Sequence, residues 1–285
     1  MTVAHHLDAG PELLAGNDGV GRVVLLPGSP SRAERIAARF DDRKVHRNPR
    51  RHDVHTGRLT HDGRTVDVAT VATGMGCPSL GIIVSELLAL GARCLLRVGT
   101  AGSLQPDEIG VGALVIPTGA VRDEGTSDAL VPRDVPAVAH PAWVSALSRA
   151  ATDLGYADRC YRGLVHAKDT FYGREVPTGP LAEASAAYMT MLSRAGVLAT
   201  EMESSHLYVL AQTHGADRRP LSRQGPHPAV VMAGTVLAVI GVGEQWGSPE
   251  QAAEAEDAAI TLALRGCLEL FAGQLRATGS SSRAR

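Results

Sequence analysis

Val23-Val24-Leu25-Leu26-Pro27-Gly28-Ser29-Pro30-Ser31-Arg32-Ala33-Glu34-Arg35-Ile36-Ala37-Ala38-Arg39-Phe40 reads as a strand, a tight turn and a helix. Residues 23–26 are apolar without alternation, the pattern of a strand buried on both faces. The turn carries Gly28. The helix expected over 31–40 has a serine cap, a proline in its first turn and an amphipathic face. One such unit predicts the class of the whole chain, because a strand buried on both faces needs helices on both sides of its sheet.

The same alternation continues outward. Further strands are expected at 65–72, 94–98, 113–116, 164–167, 197–199 and 229–240, and helices at 79–90, 142–154, 181–195, 204–213 and 249–275. Gly91 stands where the C-cap of the 79–90 helix would fall. Two polar stretches rich in Arg, Pro, Ser and Gly interrupt the pattern: 215–228 reads as a surface loop and 278–285 as a disordered tail. No internal repeat is present. With 285 residues, 44% of them hydrophobic, the chain has the size of one α/β domain, taken as residues 1–277.

Composition narrows the function by exclusion. A formal charge of −2 supplies no field for nucleic acid or an anionic membrane, so any bound anion must be captured locally. Cys77, Cys94, Cys160 and Cys267 lie far apart, which fits reduced structural thiols in a cytosol better than disulfides or zinc ligands. No apolar run is long enough to span a bilayer, and the N-terminus has no basic segment followed by an apolar one, so a cytoplasmic protein is expected. Arginine heavily outnumbers lysine, which is confined to Lys44 and Lys168.

Two turns have the makings of an anion site. At Leu26-Pro27-Gly28-Ser29-Pro30-Ser31-Arg32, Gly28 permits close backbone approach, the helix N-terminus presents free N–H donors and Arg32 adds a forked pair of hydrogen bonds. Turn geometry alone also accounts for Gly, Ser and Pro at such a joint. At Leu96-Arg97-Val98-Gly99-Thr100-Ala101-Gly102 an arginine sits inside a buried run, so Arg97 must meet either an anion or an internal carboxylate. Both turns follow the C-terminal ends of strands, where open α/β sheets place ligands.

These segments, together with Val71-Ala72-Thr73-Gly74-Met75-Gly76-Cys77-Pro78-Ser79, Asp169-Thr170-Phe171-Tyr172 and Glu201-Met202-Glu203-Ser204, resemble the uridine phosphorylase branch of the nucleoside phosphorylase family, in order and over nearly the whole chain. The resemblance implies a three-layer α/β/α sandwich around a central mixed sheet. It implies phosphorolysis of a nucleoside's N-glycosidic bond, with inorganic phosphate as co-substrate and neither cofactor nor metal. Gly28, Arg32, Arg97 and Thr100 then hold phosphate, helped by Arg51 of a neighbouring subunit, with Arg50 as its competitor. Glu201, Met202 and Glu203 clamp the ribose, and His6 of a partner subunit meets its 5′-hydroxyl. Ala101, Gly102 and Phe171 border the base. The implied assembly is built from dimers, as a hexamer. Read without the resemblance, Glu201 and Glu203 are a favourable charge pair at a helix start, and His6 belongs to a disordered terminus.

The chain also departs from that family. After Phe171-Tyr172 it runs Gly173-Arg174-Glu175-Val176, without the glutamine and arginine by which uridine phosphorylases read uracil, so Arg174 is the expected donor to the base and a third catalytic residue beside Arg97 and Glu203. Ala238-Val239-Ile240-Gly241-Val242-Gly243 has no aspartate to protonate a purine N7, which favours a pyrimidine. Lys168 and His166 are either base-site residues or a solvated lysine and a packed histidine. A hydrolytic nucleosidase, a purine-type phosphorylase and a non-catalytic nucleoside-binding protein are the competing readings.

Overall fold

The computed structural model describes residues 4–214, 230–243 and 245–279. The opening strand β1 (Val23–Pro27) lies between β4 (Arg64–Thr70) and β5 (Cys94–Ser103), parallel to both. Beyond β4 the sheet continues through β3 (Val54–His61) to the edge strand β2 (Asp41–His46). On the other side, β5 pairs with β10 (Met232–Val242) in parallel and with β9 (Ala199–Glu201) in antiparallel. β9 leads to β8 (Cys160–Lys168), β8 to β6 (Leu114–Asp123), and β6 back to β10. Five strands therefore close into a ring, from which β1, β4, β3 and β2 extend as an open wing. Short strands β7 (Ala137–Val138) and β11 (Gln245–Trp246) pair with β6 and β10.

Helices cover the sheet on both sides, and β1 shows why. Val24 and Leu26 point into a core shared with α2 (Cys77–Ala89) and α6 (Ser204–Thr213). Val23 and Leu25 point into a second core with α1 (Pro30–Ala37), α3 (Pro141–Asp153) and α7 (Pro249–Gly279). The expected sandwich around a mixed sheet is thus present, with one addition: ring closure, which depends on pairings far apart in sequence. Two smaller helices, α4 (Phe171–Arg174) and α5 (Ala182–Arg194), flank the end of β8.

Sequence patterning locates the central strands and misses the edge. β2 is Asp-Asp-Arg-Lys-Val-His, largely exposed, with no apolar run to announce it. β8 begins at Cys160 rather than at 164, because its first half is only partly buried. α7 extends through residues 278 and 279, where the tail was expected to begin. The expected loop 215–228 and tail residues 280–285 lie outside the described residues.

Trp143 of α3 is fully buried, donates its indole N–H to the Met232 carbonyl at 3.3 Å, and packs so tightly on β10 that a Cβ at Gly234 would lie 2.6 Å from it. Trp143→Ala should cost about 3–5 kcal/mol in denaturant unfolding. A loss below about 1 kcal/mol would mean that this helix does not lock the second core.

Candidate active site

The site is assembled at the C-terminal ends of β1, β5, β8 and β9. After β1, the chain turns through Gly28, whose carbonyl accepts the Gly74 N–H at 3.0 Å; a Cβ at Gly28 would stand 3.2 Å from the Gly74 oxygen. Ser29 caps α1, its hydroxyl accepting the Arg32 N–H at 3.3 Å, and Pro30 occupies the first turn. Ser29, Pro30 and Arg32 at the start of this helix all line the cavity. The Arg32 guanidinium is anchored on α7 by Glu256 at 2.5 Å, and Glu256 also holds Arg35 at 2.6 Å.

At the centre of the sheet, Arg97 lies beside Leu26 of β1 and Thr235 of β10 and is buried. Its Nε donates to Glu201 at 2.9 Å and its Nη2 pairs with Glu203. Gly99 makes room for it: a Cβ there would fall 2.7 Å from Arg97 Nη2. Burial opposes the charge of Arg97, but Glu203 and Glu201 outweigh it and hold the guanidinium protonated. Glu201 also accepts the Glu203 and Ser204 N–H groups, fastening the start of α6, and Glu203 accepts the Gly76 N–H at 2.5 Å. Burial, opposed by Arg97 and reinforced by Glu201, raises Glu203 above the usual carboxylate range. Cys77 donates to the Met202 carbonyl; burial, with Glu124, Glu201 and Glu203 nearby, pushes its thiol far up, so it is a structural tie and not a nucleophile.

A cavity of about 490 Å³ runs across these groups. Its polar end is lined by Gly28, Ser29, Arg32, Arg97 and Thr100, its middle by Glu201, Met202 and Glu203, and its far end by Ala101, Gly102, Phe171, Lys168, Glu175, Ile240 and Trp246. Phe171 and Trp246 lie with ring centres 5.7 Å apart and planes inclined by 35°. Glu175 folds in over Gly102, so that a Cβ there would displace its carboxylate.

Ten of the thirteen residues singled out from sequence thus share one cavity within one chain. Three do not line it. Arg174 is held by Asp123 at 2.7 and 3.1 Å, bonds Ser185 and stacks on the Tyr188 ring at 4.7 Å. His6 is ordered, its ring held at 2.7 Å by Glu86 of α2, which also accepts the His6 and Leu7 backbone N–H groups. Arg51, in a left-handed conformation at φ 64°, borders a separate hollow with Asn48, Asp53 and His55. Lys168 is not solvated: it is fully buried on Thr200 and Glu175, at 2.9 and 2.8 Å. His166 is packed, as one of its two readings held. Glu175 and Trp246 carried no sequence signal, since a lone Glu after a helical turn and a Trp beyond a strand are common.

One cleft thus brings together Arg32 and Arg97, the buried carboxylate pair Glu201 and Glu203, and the rings of Phe171 and Trp246. Residues 22–218 match the model of the Phosphorylase superfamily. The chain is 41% identical to a uridine phosphorylase of Treponema pallidum over 225 residues, 78% of each sequence, and 33% identical to a guanosine phosphorylase of Halorubrum lacusprofundi, over 72% of this chain and 78% of that one. A crystal structure of uridine phosphorylase from Vibrio fischeri superposes with a TM-score of 0.73 at 26% identity, covering 95% of this chain and 97% of the other. The chain belongs to the phosphorylase superfamily, as a uridine phosphorylase-like member and a pentosyltransferase.

Because folding tightens the hold of Glu203 on its proton, the folded state gains stability relative to the unfolded chain as pH falls toward 4.5, and loses it as pH rises through the folded pKa. Glu203→Gln mimics the protonated form. Its thermal midpoint relative to the unsubstituted protein should therefore rise between about pH 5 and pH 8. A relative midpoint that falls over that interval contradicts the assignment.

Proposed function

We propose that the chain catalyses reversible phosphorolysis of a pyrimidine nucleoside, uridine or a close analogue, giving the free base and ribose 1-phosphate. The observation that carries this reading is the position of Arg97, tied to both carboxylates of the sugar clamp and lining the same cavity end as Gly28, Arg32 and Thr100. Phosphate bound there sits beneath the anomeric carbon, and Glu203 orients the ribose and favours the positive charge that develops as the bond to the base lengthens. No covalent intermediate on the protein is needed, and inorganic phosphate is a co-substrate with no further cofactor.

A nucleosidase would hold water in place of the anion and would have no use for Arg32 and Arg97 at one end of its cavity. The guanosine phosphorylase relative motivates a second reading of the base. Against it stands the late strand, where Ile240 lines the cavity and the described residues of β10 include no aspartate to protonate a purine N7. Arg51 and His6 fall outside their own chain's cavity, which accords with an assembly of dimers, and by family likeness a hexamer, in which each serves a neighbour's site. Four free cysteines accord with a reducing cytoplasm.

Base release from uridine should require phosphate and exceed release from inosine. Arg97→Ala should cost about 3–5 kcal/mol at the transition state, some two to three and a half orders of magnitude in kcat/KM for phosphate. Equal release without phosphate would instead make the enzyme a nucleosidase. For the shared site, inactive His6→Ala and Glu203→Ala subunits should regain activity when unfolded, mixed and refolded together; mixtures no more active than their components would place each site within one chain.

A further inference from the structure

The cavity contains one group that neither the sugar clamp nor the anion site uses. Lys168, at the end of β8, is 1% exposed, although a buried ammonium is costly unless its N–H groups are satisfied. Its Nζ donates to Glu175 at 2.8 Å and to the Thr200 hydroxyl at 2.9 Å, and lies 5.8 Å from the centre of the Phe171 ring.

The donor and acceptor inventory behind Lys168 fixes its direction. Asp123 accepts from Arg174 and faces His166 Nε2 at 3.0 Å; an ionised carboxylate only accepts, so Nε2 carries hydrogen. In the neutral ring Nδ1 then accepts from the Thr200 hydroxyl at 2.9 Å, which leaves the Thr200 lone pairs for Lys168. Arg174, Asp123, His166 and Thr200 thus form an oriented chain ending on Nζ. The third N–H has only the Glu201 carbonyl at 3.5 Å, a contact weak enough to be exchanged for a ligand acceptor beside Phe171.

We propose that Lys168 is the catalytic residue that stabilises the departing base, with Glu175 accepting a base N–H beside it. This rests on the phosphorolytic reading above. As the C1′–N bond breaks, its electron pair passes to the base, and the negative charge spreads onto a ring carbonyl oxygen that accepts the Lys168 hydrogen bond. A phosphate oxygen forms the new bond to C1′. The proton lost as hydrogen phosphate becomes a sugar phosphate dianion ends on the base, so charge and atoms balance. The arrangement fits a base offering a carbonyl next to an N–H, as uracil does, and gives Arg174 a positioning role through Asp123.

The bland alternative is an ion pair that only neutralises Glu175, and leaving-group dependence separates the two. Phosphate-dependent kcat should be compared on uridine and on 5-nitrouridine, whose substituent stabilises the departing anion without help. Lys168→Met should lower kcat on uridine by about 100-fold or more and on 5-nitrouridine by less than about tenfold, with KM for phosphate nearly unchanged and partial rescue by Lys168→Arg. Should that variant fail to fold with Glu175 unpaired, Lys168→Met combined with Glu175→Gln removes both charges and takes its place. Equal losses on the two substrates, or no loss, overturn the proposal. Cleavage without phosphate would sink the phosphorolytic reading yet leave the comparison valid, because the same C–N bond breaks; an unsubstituted enzyme that cleaves neither nucleoside overturns both.

Discussion

The ion triad of Arg97, Glu201 and Glu203 is the constraint on which the site depends. Three charged groups in the middle of a sheet are tolerable only because each has partners: Glu201 takes backbone N–H groups of α6 as well as Arg97, Glu203 takes the N–H of Gly76, and Arg97 takes both carboxylates. A hydrophobic trio of similar volume would often serve stability as well, so stability alone does not account for these charges. Burial, opposed by Arg97 and reinforced by the second carboxylate Glu201, raises the pKa of Glu203.

Topology makes the triad possible. β9 is only three residues long, yet it bridges β5 and β8 and thereby closes the ring. Its register sets Thr200 opposite Gly102 and Glu201 opposite Ala167. Arg97, Thr100, Lys168 and Glu201 are consequently fixed by strands, while Phe171 comes from α4 and Trp246 from β11. Phe171 and Trp246 can therefore change without disturbing the central strands.

Much of this was legible in the sequence because it is written in local patterns. The strand at 23–26, the capped helix after it, the buried Arg97 and the Glu-Met-Glu segment each have a short-range signature, and all reach the cavity. What was not legible depends on distance. Ring closure pairs β5 with β10 across nearly half the chain, and no local signal announces it. The base end was read from the residue after Gly173, yet the backbone turn of α4 sends Arg174 to Asp123 and turns its neighbour Glu175 inward, onto Lys168. The rarity of lysine in this chain was visible, but burial alone distinguishes Lys168 from Lys44, which lies on the exposed edge strand β2.

If the reading of the site holds, the Arg97 triad is one wall of a phosphate site. A crystal structure of the protein with phosphate and a non-cleavable uridine analogue tests it most directly. Phosphate oxygens should lie within hydrogen-bonding distance of Arg97, the Gly28 turn and Thr100, with Glu203 on the ribose hydroxyls. Phosphate bound elsewhere, with Arg97 still enclosed by its two carboxylates and the ribose out of reach of Glu203, would contradict it.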